Sequence, residues 1–349
     1  MKRFMWWIRS AMVVGLCGSI SIPVYAEESA NSSGISSIFA GKAGEVVGFD
    51  EVQHAVRFFS MRAGVLKELK SVSVDGAVHE IIPYPQGYLV ATGVGRLDRD
   101  APIRVYSISS TLEKAELLFE KATSRAEVTG LRYCRDKVWL DFFNSKYFTS
   151  IGYLSKTSGL KYDFSEVLSI RMGSSFDCLE DTIVIGRSYG DAQGTDGDLI
   201  LYQNGKQTLL PSYRGVRGVK LIGDGNNPQI IIGDGWHSNY GKIAQGRISL
   251  LAREDSHRRF HLELIEKSDT NYNFTKFIPY ESKGKRFVIA LGNRDIIVLP
   301  VDDAGDARTI YTQKKADRIM DMALVDVSTS SVTIAILDGS LEVRQVEFP

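Results

Sequence analysis

Short apolar runs recur along the whole chain, and each ends at a Gly, Asp, Asn or Ser, residues that favour turns. Runs such as QIIIGDG (229–235) and RFVIALG (286–292) are rich in Val, Ile and Leu, which favour strands. Another apolar stretch precedes most runs, and stretches of alternating apolar and polar residues follow them. Each unit therefore predicts about four short strands. The central residues of the seven runs are Val47, Ala91, Asp141, Ile185, Ile232, Ala290 and Ala335.

These central residues follow one another at steps of 44, 50, 44, 47, 58 and 45 residues. Four strands in a unit of this length, repeated six or seven times, predict an all-β protein with the β-propeller architecture. We favour seven blades, with six as the alternative. A pair of β-sandwiches would have no reason to keep one period, and the rungs of a β-solenoid are shorter. Residues 110–122 (STLEKAELLFEKA) are strong helix formers, but the register of the repeat predicts an outer strand there.

The two ends of the repeat decide the number of blades. The last unit offers only three strands and ends in LEVRQVEFP. We expect the ring to be closed between N-terminal and C-terminal strands, because closure removes exposed sheet edges. Residues 45–74 contain enough strand-like sequence either to supply only a closing strand or to build a complete blade. A complete blade would make seven.

The first 26 residues differ from the rest. MKRFMWWIR carries three positive charges, a short apolar stretch follows, and a small residue, Ala26, precedes Glu27. This pattern is typical of a secretory signal, with an uncleaved membrane anchor as the alternative. We predict a signal peptide at 1–26, a flexible segment at 27–43 and the propeller at 44–349. The mature protein would be secreted or periplasmic, without stable membrane insertion.

The composition is that of an ordinary soluble domain, with 44% hydrophobic residues, 24% charged residues and a net charge of zero. Without a basic surplus, nothing indicates a nucleic-acid partner. Cys134 lies seven residues before Asp141, and Cys178 lies seven residues before Ile185. Equivalent positions in adjacent blades make a disulfide a candidate pairing, and two separate buried thiols are the alternative.

Residues 219–251 (VKLIGDGNNPQIIIGDGWHSNYGKIAQGRISLL) combine an apolar run, Gly-x-Gly, a polar loop and a second alternating run. Residues 183–202 form a weaker copy. This arrangement resembles the FG-GAP (VCBS-type) repeat of integrin-α-like β-propellers, which also occurs in bacterial secreted proteins. The Phe-Gly and Gly-Ala-Pro elements of that repeat are replaced here, and Gly233-Asp234-Gly235 stands at the second of them.

The resemblance also implies calcium loops, which need six to eight oxygen ligands. The calcium candidates fall in two loops and comprise Asp224 and Asn226, and Asp191, Asp196 and Asp198. Neither loop supplies a regular set of ligands, so polar turn residues that satisfy their own backbone are the favoured interpretation. We therefore expect no cofactor, with calcium as the alternative.

The loop between the second and third strands of a propeller blade lies around the channel mouth, which is the usual binding face of this fold. The candidate ligand-binding residues on that face are Asp234, Trp236, His237, Asn239, Tyr240, Lys242, Arg187 and Tyr189. Exposed aromatic rings in such a loop suit stacking on a sugar or a peptide. The alternative is that Trp236 packs between blades and His237 bonds to a backbone carbonyl.

The chain lacks the sequence signatures of common catalytic sites, such as Gly-x-Ser-x-Gly, His-Glu-x-x-His, a P-loop or a dinucleotide fingerprint. We therefore predict no catalytic residues. The favoured hypothesis is an exported, non-catalytic propeller that binds a protein or polysaccharide partner. The alternative is a secreted polysaccharide hydrolase or lyase with its site at the channel mouth.

Overall fold

The structure is a computed structural model. It describes residues 33–347 except 63, 94–100, 124–126, 146–147, 159–160, 172, 190–195, 214, 225–226, 236–244, 252–261, 269–273, 302–306 and 314–320. Within these residues every regular element is a β-strand. The same residues contain no helix that is long and apolar enough to cross a membrane.

The strands form seven antiparallel sheets, numbered here in chain order. Sheet 1 consists of β1 (Ile35–Ala40), β2 (Glu45–Asp50), β3 (Ala55–Arg62) and β4 (Val65–Ser73). Sheet 2 consists of β5 (Ala77–Tyr84), β6 (Gly87–Gly93), β7 (Ala101–Ser109) and β8 (Ala115–Thr123). Sheet 3 consists of β9 (Val128–Cys134), β10 (Lys137–Phe143), β11 (Phe148–Ser158) and β12 (Lys161–Arg171). Sheet 4 consists of β13 (Gly173–Leu179), β14 (Thr182–Tyr189), β15 (Asp196–Gln203) and β16 (Lys206–Tyr213).

The remaining sheets continue the pattern. Sheet 5 consists of β17 (Val216–Asp224), β18 (Asn227–Gly235), β19 (Gln245–Leu251) and β20 (Leu262–Ser268). Sheet 6 consists of β21 (Phe274–Ser282), β22 (Lys285–Gly292), β23 (Asp295–Pro300) and β24 (Arg308–Thr312). Sheet 7 consists of β25 (Asp321–Val327), β26 (Ser331–Leu337) and β27 (Leu341–Glu347).

The second strand of each sheet contains one of the seven central residues of the sequence repeat. All seven side chains are 0% exposed: Val47, Ala91, Asp141, Ile185, Ile232, Ala290 and Ala335. The period therefore marks equivalent buried positions, and the predicted seven-bladed propeller is confirmed. The segment rich in helix formers lies in β8, where Leu118 and Phe119 are buried against the neighbouring sheet. Packing overrides the local preference for a helix there.

Seven separate apolar clusters lie between neighbouring sheets, one for each interface around the ring. The cluster that closes the ring joins sheet 7 to sheet 1 and includes Ala335, Ile38 and Phe59. Backbone contacts support it, because the Gly44 amide donates to the Val325 carbonyl at 2.8 Å.

One detail at the N-terminal end differs from the sequence prediction. Strand β1 begins at Ile35, so the propeller starts before residue 44 and includes part of the segment predicted to be flexible. The paired serines of ISSIFA break the apolar pattern and conceal this strand. In addition, β1 pairs with β2 of its own sheet, and within the described chain sheet 7 keeps three strands. Among the described residues the ring is closed, as predicted, between N-terminal and C-terminal strands, and this closure consists of packing between sheets 7 and 1.

The first strands of the sheets are the innermost, and they contact one another in sequence around the axis. We call the face of the ring at which these first strands begin the top face, and the opposite face the bottom face. Because the sheets are antiparallel, each connection between a second and a third strand starts and ends at the top face. The ends of β6, β14 and β18 and the starts of β7, β15 and β19 therefore lie at the top face.

Candidate functional site at the top of the axial channel

Six of the seven innermost strands contain a β-bulge near the top face, where one extra residue interrupts the pairing with the second strand. A bulge of this kind re-aims a side chain, and bulges are frequent beside functional sites. The extra residues are all polar, and we call them the bulge ring: Ser36, His79, Thr129, Ser174, Arg217 and Thr275.

The residues beside Arg217 show which directions are occupied by packing. Val216 belongs to the apolar cluster between sheets 4 and 5. A Cβ added to Gly218, on the other side, would meet the Thr275 carbonyl oxygen of sheet 6 at 2.7 Å. Since the two neighbours face the two adjacent sheets, the direction left for Arg217 is the axis of the ring.

His79 has the same setting in sheet 2. Val78 packs into the cluster with sheet 1, and Glu80 bonds to Arg132 of sheet 3. The Nε2 atom of His79 is buried without a hydrogen-bond partner among the described residues. Burial lowers the pKa of His79, and the nearby carboxylates of Glu127 and Glu80 only partly oppose this. The imidazole is therefore held in its neutral form near pH 7.

Arg217 is a half-buried cation without a described counter-ion. Its Nε atom is out of solvent and has no hydrogen-bond partner among the described residues. Burial lowers the pKa of Arg217, and no described carboxylate offsets that effect. The guanidinium nevertheless stays charged at neutral pH, because an Arg pKa lies far above 7.

Below the bulge ring, a chain of ion pairs links four innermost strands. Arg132 Nη1 lies 2.8 Å from Glu80 Oε2, and Arg132 Nε lies 3.2 Å from Asp177 Oδ1. Lys220 Nζ lies 3.1 Å from Asp177 Oδ2, which also accepts the Leu221 amide at 2.8 Å. Burial alone would lower the pKa of Arg132, but the two carboxylates more than reverse this and raise it. These charges hold sheets 2 to 5 together.

A second group of contacts holds the place where the ring closes. Lys276 Nζ lies 2.8 Å from Asp321 Oδ1 and donates to the Ile38 carbonyl at 3.0 Å. The Ile38 amide donates to Asp321 Oδ2 at 3.0 Å. Sheets 6, 7 and 1 are thus tied by one lysine and one aspartate at the axis.

Asp141 is the only acidic side chain among the seven central positions of the repeat. It is 0% exposed, and neither carboxylate oxygen accepts a hydrogen bond from the described residues. It lies on the same face of β10 as Trp139, which packs against sheet 4. Burial raises the pKa of Asp141 to about 7, and the neighbouring Thr129 hydroxyl and Arg132 guanidinium only partly oppose it.

Among the predicted ligand-binding and calcium candidates, two have described side chains. Arg187 and Asp198 lie directly opposite each other on β14 and β15 and form a two-point ion pair. Asp198 is 4% exposed, so its carboxylate is committed to Arg187 rather than displayed. The pair fixes the top ends of these two strands.

The other candidates are placed by their strands or lie outside the described residues. Tyr189, Asp196 and Asp234 occupy strand ends at the top face, and Asp224 ends β17 at the bottom face, but their side chains are not described. The two groups of calcium candidates therefore start from opposite faces. No group of three or more metal-ligating side chains occurs among the described residues. The candidates outside the described residues are Trp236, His237, Asn239, Tyr240, Lys242, Asp191 and Asn226.

Cys134 and Cys178 form a disulfide between sheets 3 and 4. The Cα atoms lie 6.3 Å apart, within the usual range for a bridge. Both residues end or nearly end the innermost strands of their sheets, so the bridge lies towards the bottom face. It is therefore separate from the bulge ring.

The bulge ring was not predicted from the sequence, although a signal for it exists. The extra residue of a bulge shifts the alternation of the strand by one position. Apolar residues on the two sides of the bulge are therefore three positions apart, where strict alternation would place them two apart. Four-residue segments of this kind are ISSI (35–38), VHEI (78–81), VTGL (128–131), VRGV (216–219) and FTKF (274–277).

Comparison with known proteins defines the fold but not a family. No family model matches the chain, and no curated protein matches it. A chain in the crystal structure of a mitotic checkpoint complex is similar over 99% of both chains, with a TM-score of 0.59 and 11% identity. Sqt1 of Saccharomyces cerevisiae is similar over 94% of this chain and 99% of its own, with a TM-score of 0.52 and 10% identity.

A protein of unknown function from Desulfotomaculum acetoxidans is similar over 90% of this chain and 100% of its own, with a TM-score of 0.50 and 10% identity. At identities this low, the three similarities establish the shared architecture alone.

Proposed function

We propose that this chain is an exported, non-catalytic β-propeller that binds a protein partner through its top face. The observation that carries the proposal is the bulge ring, in which polar residues that the strand pairing does not require lie near the top ends of six innermost strands. Bulges are over-represented beside functional sites, where they re-aim a side chain. The strand ends that flank residues 190–195 and 236–244 lie at the same face.

The carboxylates near the axis are paired with cations or buried, and this favours a binding role over hydrolysis. A glycosidase of the common type needs two accessible carboxyl groups on either side of the scissile bond. In the described chain, Glu80, Asp177 and Asp321 are engaged in ion pairs between sheets, and Asp141 is fully buried. A polysaccharide hydrolase or lyase remains the second candidate, with His237 and carboxylates of the top loops as its proposed site.

The solved structures add support for a protein partner. One similar chain belongs to a mitotic checkpoint complex, which is a protein assembly. A polysaccharide partner is the alternative ligand for the same face. The FG-GAP type of the repeat and calcium binding at the two acidic loops also remain proposals, since the sequence of residues 219–251 is their main support.

Export is proposed from the N-terminal sequence, and processing tests it directly. Expression of the full chain in a secreting host should give a mature protein that begins at Glu27, as measured by N-terminal sequencing and intact mass. A product in the exported fraction that retains Met1 would indicate a membrane anchor instead.

The binding role is tested by isolating partners of the mature protein from the extracellular or periplasmic fraction of its source. A stoichiometric complex whose affinity falls at least tenfold for Trp236→Ala or His237→Ala would support the top face as the binding surface. Lys206→Ala is the control, because Lys206 is exposed at the start of β16 on the bottom face. Polysaccharide turnover that His237→Ala abolishes without loss of binding would contradict the non-catalytic proposal.

A further inference from the structure

Arg217 is the residue of the bulge ring whose chemistry is most specific. A half-buried guanidinium without a counter-ion is unfavourable, since burial removes solvation and nothing in the described chain offsets the loss. Two other buried or half-buried arginines in this protein have carboxylate partners. Arg132 bonds to two carboxylates, and Arg57 bonds to Glu68 and Asp50.

The charges nearest to Arg217 along its strand do not neutralise it. Lys220, three residues further on, adds positive charge, and Asp177 is engaged by Lys220, Arg132 and a backbone amide. The other members of the bulge ring are Ser, Thr and His, so the ring contains one permanent cation and no acid. A ring of residues with one guanidinium, neutral hydrogen-bonding groups and no acid suits a small anionic group.

We infer that the top of the axial channel is an anion site in which Arg217 binds a carboxylate from an acidic segment of the protein partner. The planar guanidinium can donate two parallel hydrogen bonds to a carboxylate, and this geometry gives both strength and direction. An Asp or Glu side chain carries its carboxylate on a thin stem that can enter a channel mouth. The acid groups of a polysaccharide are attached to sugar rings, which would have to lie across the mouth. This inference rests on the proposed function and specifies the chemistry of the partner.

The test uses the mature protein and an N-acetylated peptide of alternating Gly and Glu, with binding measured by calorimetry at low salt. We expect the peptide to bind the wild-type protein. Its affinity for the Arg217→Gln variant should be at least tenfold lower. The affinity of Arg217→Lys for the peptide should lie between those of the wild type and Arg217→Gln, because lysine keeps the charge but cannot donate two parallel hydrogen bonds. The matched peptide of Gly and Gln should not bind.

Arg62→Gln is the matched control, because it removes the same charge from an exposed position at the bottom end of β3. We expect it to change the affinity less than twofold. The melting temperature supplies a second readout. If Arg217 serves to bind a ligand, Arg217→Gln should raise the melting temperature of the free protein by a few degrees, because it removes a half-buried charge that no described carboxylate compensates.

Failure of the glutamate peptide to bind, or equal binding to wild type and Arg217→Gln, would overturn the inference. So would a fall in the melting temperature of Arg217→Gln, which would indicate a structural role. Arg217-dependent binding of oligogalacturonate without binding of the peptide would overturn the choice of an acidic peptide.

The result also separates this inference from the proposed function. If the isolated partner binds wild type and Arg217→Gln equally, the anion site is wrong and the binding role stands. If the peptide binds through Arg217 but no protein complex can be isolated, the anion site stands and the protein-binding role is wrong.

Discussion

At the scale of single residues, Asp141 shows how a polar group can occupy a repeat position that is otherwise apolar. Its equivalents in the other sheets are Val, Ala and Ile, and all of them are buried. The period of the sequence repeat correctly identifies Asp141 as the central residue of the second strand of its sheet. The pattern could not show that the carboxyl would accept no hydrogen bond within the described part of the chain, since that depends on the side chains that sheet 4 places against it.

Asp141 should make stability depend on pH. In the unfolded chain the carboxyl ionises near its ordinary pKa of 3.8, whereas in the folded protein it stays protonated up to about pH 7. Between these two pH values the carboxyl is protonated in the folded protein and ionised in the unfolded chain. The contribution of Asp141 to the free energy of unfolding therefore falls as the pH rises from about 4 to about 7.

We expect Asp141→Asn to remove this dependence, so the variant gains stability relative to wild type between pH 4 and 7, by on the order of 3 kcal/mol. Urea unfolding of both proteins at several pH values measures the difference. A constant difference across the range would show that Asp141 is ionised in the folded protein.

Asp177 presents the opposite case, a buried acid with a full set of partners. It is 1% exposed and bonds to Arg132, Lys220 and the Leu221 amide. We expect Asp177→Ala to lower the free energy of unfolding by about 3 kcal/mol or more, because it removes the partner of Lys220 and of the buried Leu221 amide, and one of the two carboxylates that bond to Arg132. Asp163→Ala, at an exposed position of β12, is the control and should cost less than about 0.5 kcal/mol in urea unfolding. Equal losses in the two variants would contradict a linking role for Asp177.

At the scale of elements, the strands were predictable to a useful degree and the bulges were not. Alternation of apolar and polar residues identifies the strands, including β8 despite its helix-forming composition. A bulge shifts the alternation of apolar and polar residues by one position. A search for strict alternation therefore does not recognise the first residues of the strand. The same effect concealed β1, in which Ser36 is the extra residue.

Close contact between neighbouring sheets depends on glycines in the innermost two strands. A Cβ at Gly233 of β18 would lie 2.3 Å from the Phe274 carbonyl oxygen of sheet 6, and backbone cannot move away cheaply. We expect Gly233→Ala to force sheets 5 and 6 apart and to lower the free energy of unfolding by about 2 kcal/mol or more, measured by urea unfolding.

Gly48→Ala is the control for this change. The added Cβ would lie 3.2 Å from the tip of the Ile35 side chain, which can adjust. A similar loss of stability in both variants would show that the effect comes from the glycine backbone rather than from contact between sheets.

At the scale of the whole molecule, the ring could be predicted because its period is visible over the entire chain. The number of blades depended on whether residues 35–73 form a complete sheet, and they do. The site was less predictable, because most of the chosen candidates were selected as aromatic or charged residues in loops. The axial groups come from different sheets and meet only through the ring, so their positions in the sequence give no indication of their proximity.

The disulfide acts at this largest scale, because it ties sheet 3 to sheet 4 across a separation of 44 residues. In the chain-entropy account, closing a loop of this size stabilises the fold by about 4 kcal/mol. We expect the Cys134→Ser, Cys178→Ser double variant to unfold at a lower temperature, by several degrees in a calorimetric scan. Addition of reductant should shift wild type towards the variant and leave the variant unchanged. Equal melting temperatures of the oxidised wild type and the variant would contradict a stabilising bridge.

The boundary between sheets 7 and 1 has a mechanical consequence. Every other pair of neighbouring sheets is joined by the polypeptide itself, whereas this pair is held by packing and by the Asp321, Lys276 and Gly44 contacts. Tension applied to the two chain ends would load this boundary first, and sheets would then peel from both ends towards the far side of the ring. The bridge between Cys134 and Cys178 lies on that far side, so the peptide between those cysteines would bear no force however far the rest is extended.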